Sequence, residues 1–496
     1  MMSARRITRR SLLAASAGAV GSGLLAPRAA LALLGGPPSA TLARRWLGIL
    51  TPQGATIELG HPADLVGLEW QAPAQAGIWL RFRGRDGRWS GWVSAGCNGH
   101  GPEARPATDR HVGEPIWTGG TTSVQVRATR TLSGVQLHLV NVSGGVGAGH
   151  ASSAVPLVSI AGLPLATPIL PAGPGQPPII ARRAWAQGMS APAVTPEYGA
   201  VRMAFVHHTE NPNGYAAGEV PAMLRAIYVF HRYVRGWHDI GYNFVIDLYG
   251  RIFEARAGGI DEPVVGAQAG GYNLASTGIA VLGTFTAVPI SKAARGALEA
   301  LLAWKLSLHG VPAQGSVTVR VNPEGASYSK YPANARVPLP RIAGHRDADT
   351  TECPGNVLYG ELPAIRTGVR RLAPDPTRAT LALTVRAVVQ VLSGALKLLD
   401  GTPLAGAPVL VQVRTVRRKG EVVSERTLGE TTTDSAGQWE LYATPISPAG
   451  GGMWLRALCP GGPGFGAGVS DPLHVPAGVS LTAPAANPPA AATRAA

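Results

Sequence analysis

The sequence of 496 residues predicts a multidomain protein: a central α/β domain with a mixed β-sheet flanked by helices, an N-terminal all-β domain and a C-terminal β-sandwich. Three changes of pattern along the chain predict this fold class. Apolar and polar residues alternate in short runs over 41–150, strands alternate with helical patterns over 179–372, and short alternating runs return over 378–480. Hydrophobic residues make up 45% of the chain, which is sufficient for a core in each domain.

The first 32 residues have the features of an export signal. Two pairs of arginines within residues 5–10 precede an apolar stretch rich in alanine and glycine, and Ala30-Leu31-Ala32 is a small-x-small cleavage site. Arginine pairs in this position are typical of a twin-arginine signal, which exports folded proteins. We therefore expect a secreted or cell-wall-associated protein, and the alternatives for this segment are an uncleaved anchor and a disordered basic tail. Prolines interrupt the later apolar stretches, so we expect no integral membrane segment after signal removal.

The chain is strongly basic, with a formal net charge of +15. Residues 1–32 contain five arginines and no acidic residue, so the mature chain keeps a charge of +10. A positive charge favours acidic partners, which outside a cell are anionic wall polymers and lipids before nucleic acid. We expect no nucleic-acid partner, and a role of the arginines in solubility is an equally good interpretation.

In the N-terminal domain, alternating runs flank an Asp-Gly turn, which indicates antiparallel strands. Trp79, Trp89 and Trp92 lie on these runs. They form either an aromatic platform for sugars or cross-strand packing, and the packing role is commoner for aromatic residues in strands. Residues 151–178 are rich in proline and alanine, as in a semi-extended linker.

The central region, 179–372, has five predicted elements. They are a strand over 201–208, a helix over 221–234, a hairpin over 242–255, a strand over 278–283 and a helix over 293–309. The C-terminal region, 378–480, predicts a β-sandwich of immunoglobulin-like or carboxypeptidase-regulatory-like type. Residues 481–496 are rich in alanine and proline and predict a disordered tail.

Two histidines and a cysteine could hold a metal ion. Side chains alternate along a strand, so His207 and His208 face opposite sides of the sheet and only one of them can serve a given metal. His345 and Cys353 follow on a later loop. Two imidazoles and one thiolate leave the fourth position of a zinc ion open, as a catalytic zinc requires. Cys97 and Cys459 then remain, and we expect both to be buried free thiols.

Four segments of the central region support this interpretation. They are Phe205-Val206-His207-His208-Thr209, Gly236-Trp237-His238-Asp239-Ile240-Gly241-Tyr242-Asn243-Phe244, Gly250-Arg251-Ile252-Phe253-Glu254-Ala255-Arg256, and Gly344-His345-Arg346-Asp347 with Thr351-Glu352-Cys353-Pro354-Gly355. In this order they closely resemble the motifs of the peptidoglycan-recognition-protein and type 2 N-acetylmuramoyl-L-alanine amidase family. The resemblance covers about 179–372.

The resemblance implies a site as well as a fold. It implies that His207, His345 and Cys353 bind Zn²⁺, and that Tyr242 lines the catalytic centre. Thr351 takes the position where some amidases carry a lysine, so the general acid is not identified by the resemblance.

The resemblance further implies a substrate groove at His208, Trp237, Gln268 and Asn273. Gln268 stands where the family often has a histidine. Asp239 and the neighbouring His238 either orient a metal-bound histidine or stabilise a turn.

The implied activity is hydrolysis of the lactyl amide bond between muramic acid and L-alanine in peptidoglycan. A zinc ion would activate a water molecule, and Tyr242 would donate a hydrogen bond to the oxygen of the attacked carbonyl group. Three alternatives stay open. They are a non-catalytic peptidoglycan-binding recognition protein, an amidase for another glycan-linked or acylated amide, and a structural wall adhesin with a vestigial amidase. Non-catalytic recognition members typically lack the cysteine, so Cys353 favours an enzyme.

Overall fold

The computed structural model describes a large part of the chain. The described residues are 4–6, 40–72, 76–96, 110–143, 165–166, 175–186, 189, 192, 196–373, 377–379, 382–386, 389–416, 422–443, 453–462 and 465–475. Most of the expected export signal and linker, the whole expected tail and Cys97 lie outside these residues. Cys459 lies within them and is a buried free thiol.

Eight strands of the N-terminal region form one sheet in the order β1-β2-β8-β3-β7-β4-β5, and β6 pairs with β3. The strands are β1 (Ala4–Arg6), β2 (Thr41–Leu50), β3 (Ala55–Trp70), β4 (Ile78–Phe82), β5 (Val93–Ser94), β6 (His111–Val112), β7 (Ile116–Ala128) and β8 (Leu132–Asn141). All of their pairings are antiparallel, as the alternating runs predict. Ile78 and Leu80 point into a buried core with Trp70, whereas Trp79 between them points to the other face.

The central region has a six-stranded sheet in the order β16-β10-β13-β11-β12-β9. Its strands are β9 (Ile179–Ile180), β10 (Met203–His208), β11 (Phe244–Ile246), β12 (Ile252–Glu254), β13 (Ser276–Val281) and β16 (Ile342–Gly344), and β14 (Ser316–Arg320) pairs with β15 (Arg336–Pro340) beside it. Strands β11 and β12 are antiparallel and the other neighbours in the six-stranded sheet are parallel. The prediction of a mixed sheet is therefore confirmed.

Helices cover both faces of this sheet. They are α1 (Arg182–Trp185), α2 (Val220–Tyr233), α3 (Lys292–Leu308) and α4 (Asn356–Leu372). Ala280 of β13 belongs to the apolar cluster of α2, whereas its neighbours Ile279 and Val281 belong to the cluster of α3 and α4. Helix α4 was not predicted, and Pro363 lies inside it. Across the described residues, no helix combines the length and apolarity needed to span a bilayer.

The C-terminal strands form two sheets around one core. One sheet contains β17 (Thr377–Ala379), β18 (Ala382–Arg386), β19 (Val389–Leu398) and β22 (Gln438–Ala443), and the other contains β20 (Pro408–Val416), β21 (Val422–Thr432), β23 (Met453–Cys459), β24 (Gly468–Val469) and β25 (Leu473–Val475). Leu392 and Trp439 of the first sheet share a cluster with Val411 and Leu455 of the second. The immunoglobulin-like or carboxypeptidase-regulatory-like type stays a prediction.

The N-terminal sheet packs directly on helix α2. A Cβ atom at Gly67 of β3 would lie 2.1 Å from the ring of Phe230 in α2, so only glycine permits this close approach. Trp117 of β7 belongs to the same apolar cluster as Phe230. Next to this cluster, Arg235 donates a hydrogen bond of 2.6 Å to the buried carboxylate of Glu114. These contacts hold the N-terminal sheet against the central region.

The C-terminal region is joined to the central region through buried charges. Arg456 of β23 forms ion pairs with Asp261 at 3.0 Å and with Glu262 at 2.6 Å. Lys305 of α3 donates to the backbone oxygens of Ile260 at 2.8 Å and Glu262 at 2.7 Å. All of these charged side chains are buried, so the segment 260–262 is held from both sides.

Candidate metal centre and active site

Parallel strand pairing brings two histidines together. Strand β10 runs parallel to β16 with Val206 opposite Gly344. The next residues, His207 and His345, therefore lie side by side at the carboxyl ends of these two strands, which form one edge of the sheet. This edge holds the carboxyl ends of parallel strands, where α/β sheets commonly place their sites. The loop after His345 returns Cys353 to the same point, and its Sγ lies 3.7 Å from Nδ1 of His207. Ligand atoms of the three residues lie within 4.8 Å of one another.

The donor set suits zinc. Tetrahedral zinc with bonds of about 2.1 Å to nitrogen and 2.3 Å to sulfur separates these two atoms by roughly 3.6 Å. The distance of 3.7 Å between Cys353 Sγ and His207 Nδ1 agrees with that value. All three side chains are completely buried. Burial raises the pKa of the Cys353 thiol well above its usual range, so a bound cation is what would stabilise the thiolate here.

The neighbouring histidine faces elsewhere, as the alternation of a strand requires. Nδ1 of His208 accepts a long hydrogen bond of 3.4 Å from the backbone N–H of Phe285, and Nε2 lies 3.4 Å from the carboxylate of Glu210. Among the described residues, the metal cluster contains His207 and not His208. Glu210 has a φ of 56°, which is unusual for a residue other than glycine and often marks a functional position.

Asp349 holds the ring of His345. Its Oδ2 atom lies 2.8 Å from Nε2 of His345, and both side chains are fully buried. With Nε2 hydrogen-bonded to the carboxylate, Nδ1 is the nitrogen of His345 that can bind a metal. Metal-bound imidazoles are usually oriented by such a carboxylate partner. The sequence reasoning missed Asp349, although an acidic residue four positions after a candidate ligand is a usable signal.

Asp239 instead stabilises a turn. Its carboxylate accepts hydrogen bonds from Arg182 at 2.8 Å, from the N–H of Ile240 at 2.7 Å and from the N–H of Ala257 at 3.0 Å. These partners account for both carboxylate oxygens of the buried side chain. Of the two roles open to Asp239, the structure supports the turn.

Tyr242 lies beside the metal cluster. The ring centroid of Tyr242 is 5.5 Å from that of His207 and 5.9 Å from that of His231. His231 of α2 also packs on Trp237 at 4.5 Å, and its Nδ1 accepts from the N–H of Gly241 at 3.2 Å, which shapes the loop that carries Tyr242. Burial raises the pKa of Tyr242 well above its usual value. The phenol is therefore protonated at neutral pH and can donate a hydrogen bond.

A large cleft reaches the surroundings of the cluster, with a volume of about 1630 Å³. Its lining includes Glu210 beside His208 and Thr351 beside Cys353. The Thr351 hydroxyl accepts a hydrogen bond of 3.1 Å from the N–H of Cys353, so it also shapes the ligand loop. Trp237 lines the same cleft.

Gln268 and Asn273 lie inside the protein. Asn273 Oδ1 accepts from the N–H groups of Gln268 at 2.9 Å and Ala269 at 3.0 Å, and the Gln268 side chain donates to Ser276 at 3.0 Å. Both side chains are at most 1% exposed. The structure does not bring these two residues or the buried His208 to the cleft, whereas Trp237 and Thr351 reach it.

Two segments of the chain match known family models. Residues 197–356 match the model described as N-acetylmuramoyl-L-alanine amidase. Residues 40–155 match a model described as N-terminal galactose-binding domain-like. The first match covers the three residues of the metal cluster and Tyr242, and the second covers the N-terminal sheet from β2 onward.

Similar proteins include recognition proteins and amidases. Peptidoglycan-recognition protein SC2 of Drosophila melanogaster is 29% identical over 184 residues, which are 37% of this chain and 84% of that protein. The N-acetylmuramoyl-L-alanine amidase of Homo sapiens is 28% identical over 178 residues, which are 35% of this chain and 26% of that protein. Among solved structures, Drosophila PGRP-LB is 27% identical, with 38% of this chain and 92% of that chain covered and a TM-score of 0.28.

Proposed function

Because residues 197–356 belong to the family of N-acetylmuramoyl-L-alanine amidases and peptidoglycan-recognition proteins, we propose that this protein is a zinc-dependent N-acetylmuramoyl-L-alanine amidase. In this proposal it hydrolyses the lactyl amide bond between muramic acid and L-alanine in peptidoglycan. The observation that carries the proposal is the complete ligand set of His207, His345 and Cys353 with Tyr242 beside it. A protein that only binds peptidoglycan has no need of this set.

Each residue has a proposed role. His207, His345 and Cys353 hold the zinc ion, which when bound supplies a Lewis acid for the amide carbonyl and acidifies water. The protonated phenol of Tyr242 donates a hydrogen bond to the carbonyl oxygen as negative charge develops on it. Thr351, through its hydroxyl at the cleft, is a weaker donor.

Further residues have supporting roles in this proposal. Trp237 contacts the substrate from the cleft wall, and the buried His208 lies behind the cleft residue Glu210, with its Nε2 3.4 Å from the Glu210 carboxylate. Gln268 and Asn273 support the groove from inside through their buried hydrogen bonds.

Product analysis by mass spectrometry tests the activity directly. Purified peptidoglycan is digested by the full-length protein, by the protein treated with a zinc chelator, and by the chelated protein after zinc is added back. We expect peptides with a free N-terminal alanine from the first and third samples. Release that is unaffected by chelation contradicts the zinc dependence. Binding of peptidoglycan without any release favours the alternative of a non-catalytic recognition protein.

A pair of cysteine variants controls this experiment. Cys353→Ala removes the proposed thiolate ligand, and Cys459→Ala removes another buried free thiol in β23. We expect Cys353→Ala to lose both hydrolysis and stoichiometric zinc, while Cys459→Ala keeps both. Equal zinc content in the two variants contradicts the assignment of Cys353 as a ligand.

The site of action follows from the same proposal. An enzyme for peptidoglycan works outside the cytoplasm, so we propose export by the twin-arginine route with residues 1–32 as the signal, and domains at 41–150, 179–372 and 378–480. The positive charge would favour anionic wall polymers as additional partners. N-terminal sequencing of the exported protein tests the signal, because cleavage after Ala32 is the expected result. This cleavage would remove β1 (Ala4–Arg6) and leave β2 at that end of the N-terminal sheet.

A further inference from the structure

The N-terminal sheet forms one wall of the cleft that reaches the metal cluster. Trp79 of β4, Trp92 and Ser94 line one part of this cleft, and Trp237 and Thr351 of the central region line another. The volume of about 1630 Å³ exceeds the roughly 300–1,000 Å³ that is usual for a pocket that holds one small molecule. The cleft therefore has room for an extended ligand that contacts both regions.

Buried contacts fix the two walls relative to each other. Oδ1 of Asn211 accepts a hydrogen bond of 2.6 Å from the backbone N–H of Trp117, and Arg235 pairs with Glu114 at 2.6 Å. Asn211 and Glu114 are at most 2% exposed. Because Asn211 follows the cleft residue Glu210 directly, these contacts hold the N-terminal wall beside the metal cluster. A preformed wall of this kind reduces the entropy lost when a ligand binds.

The N-terminal wall presents aromatic rings held by guanidinium groups. The Cζ atom of Arg127 lies 4.3 Å from the ring centroid of Trp92 and 5.4 Å from that of Trp79. Arg81 also packs on Trp92, with its Cζ at 4.8 Å. These separations are within the range of cation–π contacts, so the rings are held in place. Trp79 also lies over Gly77, where a Cβ atom would be 2.6 Å from the indole ring.

We propose that this wall is a subsite for the glycan strand of the substrate, with Trp79 as its main contact. The inference rests on the proposed amidase function, which puts the cleaved bond at the metal cluster and requires the glycan to extend away from it. Sugar rings offer apolar C–H faces to aromatic rings and carry hydroxyl and acetamido groups that need hydrogen bonds. Exposed Arg130 and Ser94 line the same cleft and provide donors for those groups.

The chemistry of the wall favours the glycan over the stem peptide as its occupant. Peptide carboxylates would be matched by cations directed into the cleft. Three arginines of this wall are already engaged, since Arg81 and Arg127 pack against the tryptophan rings and Arg110 pairs with Glu69 at 2.5 Å. Arg44 and Arg130 are exposed at the cleft. Half-buried aromatic rings are then the prominent feature of this wall.

Substitution of Trp79 in the full-length protein tests the subsite. Trp89 is the matched control, because it lies in the connection between β4 and β5 and packs on Arg81 at 5.3 Å but is not among the described residues that line the cleft. Hydrolysis is measured on long peptidoglycan strands and on a monomeric muramyl peptide with the same stem peptide. We expect Trp79→Ala to lower kcat/KM about tenfold on long strands through KM, and to leave the monomer within twofold.

Glycan strands stripped of peptide supply a readout that does not depend on hydrolysis. We expect Trp79→Ala to bind them about tenfold more weakly than the wild type, Trp79→Phe to recover part of the loss, and Trp89→Ala to match the wild type on every measurement. Any of three results overturns the subsite. They are an equal loss of kcat/KM on both substrates, an equal loss in Trp79→Ala and Trp89→Ala, and unchanged glycan binding in Trp79→Ala. If the wild type does not hydrolyse peptidoglycan, the amidase proposal is contradicted. The glycan-binding measurement on Trp79→Ala then tests the subsite by itself.

Discussion

Replacement of Asp349 by asparagine measures how much the orienting carboxylate contributes to metal binding. The Oδ2 atom of Asp349 lies 2.8 Å from Nε2 of His345, and neither side chain is exposed. The asparagine side chain keeps the shape of the aspartate and removes its charge. A hydrogen bond to a charged group contributes about 1.5–3 kcal/mol, and partners of metal ligands typically change metal affinity about 10- to 100-fold. We expect Asp349→Asn to weaken zinc binding by at least about tenfold.

The assay is a competition for zinc between the protein and a chromogenic chelator, so it does not depend on activity. Asp239→Asn is the matched control, because Asp239 is a buried carboxylate that pairs with Arg182 and accepts from the backbone N–H groups of Ile240 and Ala257, outside the metal cluster. It is expected to lower thermal stability and leave zinc affinity within about twofold. Zinc affinity that falls in Asp239→Asn and stays unchanged in Asp349→Asn would refute the reasoning about His345.

Three further outcomes are expected. Tyr242→Phe should lower kcat by about 10²–10³ with zinc affinity unchanged, because the phenol acts on the substrate oxygen. Arg456→Met should lower the free energy of unfolding in urea by about 3–5 kcal/mol, since it leaves Asp261 and Glu262 buried without their cation. Burial lowers the pKa of Lys305 to about 7 in the folded protein. Between about pH 7 and 10 the Lys305 side chain is therefore protonated in the unfolded chain and neutral in the folded protein. Stability should therefore rise by up to about 1.4 kcal/mol per pH unit in that interval, and Lys305→Met should remove the rise.

Each of these outcomes has a control. Tyr228→Phe changes another buried tyrosine and should retain activity, so an equal loss in both tyrosine variants contradicts the role of Tyr242. Arg202→Met breaks an exposed pair with Asp471, whose side chains are 56% and 57% exposed, and should cost less than about 1 kcal/mol. Equal destabilisation by Arg202→Met and Arg456→Met contradicts the argument from burial. If the free energy of unfolding still rises between pH 7 and 10 in Lys305→Met, another group causes the rise.

Much of the site followed from patterns that are local in the chain. The alternation of β10 separates His207 from His208, and the helical spacing over 221–234 corresponds to α2 at Val220–Tyr233. The partner of His345 did not follow from its motif, because Asp347 and Asp349 are both close in sequence. The turn decides between them. Asp347 accepts from the N–H of Gly344 at 2.9 Å and from the Tyr359 hydroxyl at 2.5 Å, which leaves Asp349 on the imidazole.

The sequence by itself determined the fold class of the central region and a candidate zinc-binding trio, because periodicity and short motifs are carried by neighbouring residues. Only the tertiary structure decided what surrounds that trio. The contact of Trp117 with Asn211 joins residues 94 positions apart, and it makes the N-terminal sheet a wall of the cleft. No local pattern encodes such a contact. It depends on how Gly67 of β3 packs against Phe230 of α2, and therefore on the shapes of two surfaces that meet only in the folded protein.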